Sequence, residues 1–329
     1  MTIPLPLSLQ FQPTHPSNSE DDQLILPNFL RTISRINYLA IYALKVDWDT
    51  LDSSLTSAFL HLMHLPTINH IDLSSIQNFP LSSLPSSANL HRLDICTLKC
   101  TYWPEEEIVV QSEMMPSIRE FHTEDSSLVT TLLLHNTKRE DGRPAFNFMD
   151  LRRLSTCLDD KRNVRHLVQN AKLLEKLHLK VGYGQGLVGL HDIVSLSAHT
   201  LKVLDLTGSF YMNFVYRPVT LLGLSEELEA MAGHNILEAL SFTCNVYVKE
   251  AHHHDTEDSI GSLIQNVEKV LVKPGWSALR QVSFKVAISR YMVADSAGLS
   301  ETLQSLPDKY LSHFPKFESI AFSYSVYVT

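Results

Sequence analysis

Leu90-His91-Arg92-Leu93-Asp94-Ile95, Leu174-Glu175-Lys176-Leu177-His178-Leu179 and Leu201-Lys202-Val203-Leu204-Asp205-Leu206 carry one phrase. It reads apolar, two mostly polar or small residues, apolar, one variable residue, apolar. The same phrase centres on Leu39, Ile71, Phe121, Leu154, Leu240, Val282 and Ile320, which makes ten copies. The last three positions alternate in-out-in, the period of a strand with one buried face. Several intervals between phrases carry helical periodicity instead. Leu51, Leu55, Ala58, Phe59 and Leu62 share one helical face, with Asp49 placed to cap it. Ile260, Leu263, Ile264, Val267 and Leu271 repeat that pattern later. A strand and its return helix bury their apolar faces only by stacking on neighbouring units, the logic of a leucine-rich-repeat solenoid.

The phrase centres lie 32, 22, 28, 33, 23, 27, 36, 42 and 38 residues apart. Regular repeats of this kind run roughly 20–29 residues, so the expected architecture is α/β but degenerate: parallel strands on one face, helices or loops on the other. Residues 1–23 are expected to be a flexible tail and 24–329 a single solenoid domain. Thr137–Pro144 and Lys249–Asp258 read as solvated loops. Phe322–Val328 reads as a closing strand with an exposed edge.

Composition narrows the classes of function. Of 329 residues, 44% are hydrophobic and 50 are Leu, ample for a continuous core. The formal charge of −9 argues against general nucleic-acid or anionic-membrane binding. No run approaches 18 apolar residues, so no membrane span is expected. Four cysteines are too sparse for a disulfide framework, and no Asn-x-Ser/Thr acceptor occurs. Together these lead to an expectation of a cytoplasmic or nuclear protein.

The wording of the phrases goes beyond their period. Met114-Met115-Pro116-Ser117-Ile118-Arg119-Glu120-Phe121, Phe146-Asn147-Phe148-Met149-Asp150-Leu151-Arg152-Arg153-Leu154, Ala171-Lys172-Leu173-Leu174-Glu175-Lys176-Leu177 and Lys273-Pro274-Gly275-Trp276-Ser277-Ala278-Leu279-Arg280 resemble the repeat region of mushroom-type fungal F-box proteins. The resemblance covers most of residues 36–329. It implies a leucine-rich-repeat-like substrate-recognition region, in a family whose full-length members recruit targets to a Skp–cullin ubiquitin ligase. The F-box itself has one faint echo, Leu26-Pro27-Asn28-Phe29-Leu30, so the adaptor-binding module is expected to be truncated or absent.

Motifs with catalytic overtones have plainer readings. Gly184-Gln185-Gly186-Leu187-Val188-Gly189 is a literal G-x-G-x-x-G after a predicted strand, and Asp205 follows 21 residues after Gly184. A central dinucleotide-binding strand is apolar on both faces, whereas Leu174–Val181 carries Glu175, Lys176, His178 and Lys180. A glycine-rich turn is therefore expected, and no cofactor. His252-His253-His254-Asp255 and Cys96-x3-Cys100 read as a solvated loop and a pair of ordinary thiols. Asp72 and Asp94 are expected to stack one rung apart (about 4.8 Å), with His122 on the next rung. That ladder is suited to a cation or to acid–base work, but solvated surface is the simpler expectation.

The remaining candidate is the strand face itself. Read in order it presents Asp72, Arg92, Asp94, Glu120, His122 and Glu124, then Arg153, Lys176, His178 and Lys180, then Asp205. An acidic patch, a basic patch and a neutral stretch are expected to bind a protein partner by charge complementarity, without catalysis.

Overall fold

The computed structural model describes residues 5–11, 20–100, 108–110, 115–182, 186–212, 221, 223–248, 253–289, 296–311 and 320–329. The chain is α/β, and its strands pair in parallel. It divides into two compact units, Met1–Leu154 and Ser155–Thr329, where the sequence reading has one domain from residue 24.

In the first unit the elements are β1 (Leu5–Phe11), α1 (Glu20–Thr32), β2 (Ile36–Asp47), α2 (Ser53–Met63), β3 (His70–Gln77), β4 (Arg92–Cys96), β5 (Ile108–Val110), β6 (Glu120–Glu124), α3 (Ser127–Thr131) and β7 (Thr137–Arg139). The main sheet runs β1-β2-β3-β4-β6, while β5 and β7 form a separate parallel pair. The unit boundary falls inside β8 (Arg153–Cys157). The second unit holds α4 (Lys161–Asn170), β9 (Lys176–Val181), α5 (Leu190–Ser195), β10 (Val203–Met212), α6 (Leu224–Met231) and β11 (Ala239–Val248). It continues with α7 (His253–Leu271), β12 (Gln281–Ile288), α8 (Ser296–Gln304), α9 (Leu306–Tyr310) and β13 (Ala321–Val328). Here the order is β9-β10-β11-β12-β13. Among the described residues no helix is long and apolar enough to cross a membrane.

The phrase acts as a register device. Its first and fourth residues are buried in nine copies, from Ile36 and Leu39 to Leu279 and Val282. Its second residue offers a carbonyl with two lone pairs, and the next phrase supplies two N–H groups to it. Asn69 O accepts from His91 and Arg92, His91 O from Arg119 and Glu120, and Arg119 O from Arg152 and Arg153. Glu175, Lys202 and Glu238 do the same in the second unit, and these bonds span 2.8–3.1 Å. Equivalent positions therefore align: Leu39 pairs with Ile71, Leu93 and Phe121 in turn. In the second unit Leu177 aligns with Leu204, Leu240 and Val282.

Several expectations are corrected. Val282 pairs with Phe322, not Ile320, so the tenth phrase is displaced by two residues; Ile320 is buried just ahead of the strand. Leu5–Phe11 is a strand paired with β2, and α1 starts at Glu20, so residues 1–23 are not simply a tail. Pro6 is compatible with β1 because this strand stands first in the sheet order, where a missing donor on one side is tolerated. The cap of α2 is Asp52, whose carboxylate accepts from Ser54 N at 2.8 Å. Thr137–Arg139 is a short strand, and the helix α7 begins at His253, inside the stretch read as loop.

Three neighbouring strands bend through a left-handed residue at the same register, inside β3 and directly after the last residues of β4 and β6. Ser75, Thr97 and Asp125 have φ of 60°, 51° and 48°, and each directly follows one of the aligned residues Ser74, Cys96 and Glu124. Ser75 Oγ and Thr97 Oγ1 hydrogen-bond at 2.8 Å, and Thr97 N donates to Glu124 O at 2.7 Å. The bends are thus tied to one another from strand to strand.

In the second unit the largely aliphatic core includes an aromatic stack. Phe242 and Phe284 stack with centroids 4.7 Å apart, and Phe322 lies 6.1 Å from Phe284. Phe242→Ala should cost about 3–5 kcal/mol in urea denaturation, whereas Ser241→Ala, one residue away on the opposite face, should stay within about 0.5 kcal/mol. Equal effects would contradict the assigned alternation.

Candidate functional site

Because the register is fixed, alternate residues of β2, β3, β4 and β6 fall into three rows, polar but for Ala40. The first is Tyr38, His70, Arg92, Glu120; the second Ala40, Asp72, Asp94, His122; the third Tyr42, Ser74, Cys96, Glu124. Neighbouring strands stand about 4.8 Å apart, so hydrogen bonds run both along and across the rows.

Tyr42 OH donates to Asp72 Oδ2 at 2.6 Å, and Tyr38 OH lies 3.3 Å from the same oxygen. Both phenols are held above their ordinary range: Tyr42 by its bond to the carboxylate, Tyr38 first by burial. The Tyr38 ring stacks on His70, centroids 4.3 Å apart. His70 Nε2 sits 2.9 Å from Asp94 Oδ2, and an ionised carboxylate makes that nitrogen the donor. Arg92 donates to Asp94 through Nη2 at 2.8 Å and through Nε at 3.1 and 3.2 Å. Arg92 also approaches Glu120 at 3.6 Å, and Arg153 donates to Glu120.

Asp94 is the centre of this network. It was expected on an open, solvated face, yet only 6% of it is exposed. Burial alone would raise its pKa; the bonds from His70 and Arg92 overcome that and hold it below the usual carboxylate range.

The remaining predicted residues behave differently. His122 Nε2 is 4.0 Å from Glu124 Oε2, and the Cys96 thiol lies close to both. Burial, then the charge of Glu124 and nearby aspartates, pushes that thiol up to about 12. In the second unit, Lys176 pairs with Asp205 at 2.8 Å. His178 bridges Ser155 Oγ and Thr207 Oγ1, each at 2.9 Å, and Lys180 shares its face. Arg153 and Lys176 are each paired with a carboxylate, so the expected basic patch is substantially compensated within the protein. Tyr38, Tyr42 and His70 escaped the sequence reading, and Cys96 entered it only as an ordinary thiol; His70 and Cys96 each sit two residues from, and directly opposite, a residue that it named, while Tyr38 and Tyr42 reach Asp72 across the strands.

The glycine loop has its own occupant. Gly184 lies outside the described residues, but Gly189 N and His191 N donate to the two carboxylate oxygens of Glu227 at 2.7 and 2.6 Å. In a dinucleotide fold those N–H groups face pyrophosphate; here the chain's own anion holds them. The side chains of His252-His253-His254-Asp255 lie outside the described residues. No family model and no curated protein matches this chain. Its class therefore rests on the fold: an α/β protein with parallel sheet, carrying a hydrogen-bonded polar array on one face.

Asp94→Asn should destabilise the protein by about 1–3 kcal/mol. With the folded pKa depressed, the contribution of Asp94 is full above the unfolded-chain value of about 3.9 and is lost as pH falls through the folded value. The stability gap between wild type and variant should accordingly narrow in acid. Denaturant titrations across that range check the sign, and a gap that widens contradicts it.

Proposed function

We propose that the chain is a degenerate leucine-rich-repeat-type solenoid that recognises a protein through its polar strand face, as a substrate-receptor region of the F-box type. The supporting observation is the array itself. Three in-register rows display Tyr38, Tyr42, His70, Arg92 and Glu120 on paired strands, with neighbours already holding many of these side chains in place. Preorganised side chains lose little rotamer freedom on binding, and Tyr and Arg are the residues that dominate interface energetics. The repeated register and the three matched bends favour a repeat protein over a wound nucleotide-binding sheet, as does Glu227 at the glycine turn.

A second reading, a free-standing interaction scaffold, draws on one observation. Residues 5–32 supply a strand followed by a helix, and the Leu26-Pro27 echo lies inside α1. That arrangement resembles one more unit of the array rather than a helical adaptor-binding module.

Calorimetry with a purified fungal Skp adaptor separates the two readings: sub-micromolar binding supports the receptor, and no binding leaves the scaffold. For the face, Arg92→Glu and the triple reversal Arg153→Glu, Lys176→Glu, Lys180→Glu should each weaken a partner captured from extract about tenfold or more. Circular dichroism should show the fold retained in the triple variant; Arg92→Glu strips the buried Asp94 of its guanidinium and costs stability, so it is compared only under conditions where its spectrum matches wild type. Unchanged affinity in both variants removes the charged face from the interface.

A further inference from the structure

We infer that Cys96, His122 and Glu124 form a binding site for a zinc-class divalent cation. The three side chains come from β4 and β6, Cys96 and Glu124 from their last residues and His122 from the middle of β6. His122 and Glu124 are two residues apart on one strand and share a face; Cys96 is the direct register partner of Glu124, and Asp94 that of His122. One donor atom from each of the three lies within 4.8 Å of the others. A tetrahedral ion with bonds of about 2.0–2.3 Å draws such a trio together by rotamer adjustment alone, without moving the backbone.

The donor chemistry is selective. Thiolate, imidazole and carboxylate together suit zinc and its neighbours, whereas calcium and magnesium require oxygen ligands throughout. The strand ends carrying them are pinned: Glu124 O accepts from Thr97 N, and Ser126 Oγ accepts from Leu98 N at 2.9 Å. The surroundings are electronegative, with Asp72, Asp94 and Asp125 all close enough to act on the Cys96 sulfur. The guanidinium of Arg92, on the same strand as Cys96, is committed to Asp94 and Glu120. On binding, the Cys96 S–H bond gives its proton to solvent and the sulfur lone pair passes to the metal, with no change in oxidation state. Three protein ligands leave a fourth position. It opens toward solvent on the polar face, since His122 and Glu124 side chains are 34% and 35% exposed. A water or a partner's side chain completes the sphere there.

This assignment stands apart from the partner reading and is tested without a partner. Full-length, untagged, reduced protein is titrated with Co²⁺ in a background carrying His252→Asn, His253→Asn and His254→Asn, which silences the histidine run. The expected result is one Co²⁺ per chain with a thiolate-to-cobalt charge-transfer band. Cys96→Ser should abolish the band, and Cys100→Ser should keep it. His122→Ala and Glu124→Gln should each weaken binding about tenfold or more, and Zn²⁺ should displace the cobalt. Circular dichroism establishes that each variant folds. Absence of saturable binding, binding without a sulfur band, or a band that survives Cys96→Ser would overturn the site.

Discussion

The carbonyl of the second residue in each phrase, shared between two N–H donors of the next, is the constraint on which the rest of this structure depends. A parallel pair has only slanted, evenly spaced bonds to define its register, and a slip of one residue would turn every side chain to the wrong face. The doubled acceptor at Asn69, His91, Arg119, Glu175, Lys202 and Glu238 removes that freedom. Once it is fixed, burial of the first and fourth phrase residues follows, and so does the alignment of the polar rows opposite them.

The polar face obeys a different balance from the core beneath it. Asp94 is nearly as buried as a core residue, and its tolerance there depends on three donating contacts from Arg92 and one from His70. An isolated carboxylate in that place would be strongly disfavoured. Tyr38 and Tyr42 cover Asp72 in a similar way, which makes the array a structural part of the sheet as well as its display surface.

Much of this was legible in the sequence because the phrase has a period that burial enforces. Nine of its ten copies fall where the alternation places them; the tenth fails because Ile320 and Phe322 are both apolar and two residues apart, so either satisfies the pattern. Asp52 and Asp49 are likewise equivalent to a reading of composition, and only the turn at Trp48–Thr50 separates them. β1 was obscured by Pro6, a residue that marks a strand as peripheral rather than absent. Tyr38, His70 and Cys96 were out of reach for another reason. Their significance lies in the side chains that they touch on neighbouring strands; the repeat places Asp72 beside Asp94 and Asp94 beside His122, as read, but a register alone does not say which side chains reach across it.

The left-handed residues at Ser75, Thr97 and Asp125 bear on how such a chain can vary over time. Holding a non-glycine residue there costs roughly 1–2 kcal/mol in the folded state. Glycine would remove that strain, but it would also widen the unfolded ensemble by an amount worth about 0.4–1 kcal/mol. The two terms oppose each other and leave glycine a net advantage of roughly 0–1.6 kcal/mol, which the hydrogen bond between Ser75 Oγ and Thr97 Oγ1 works against at two of the three bends. A bend so nearly balanced can be built with Ser, Thr or Asp and no glycine, and the repeat then persists in the backbone where no single letter marks it.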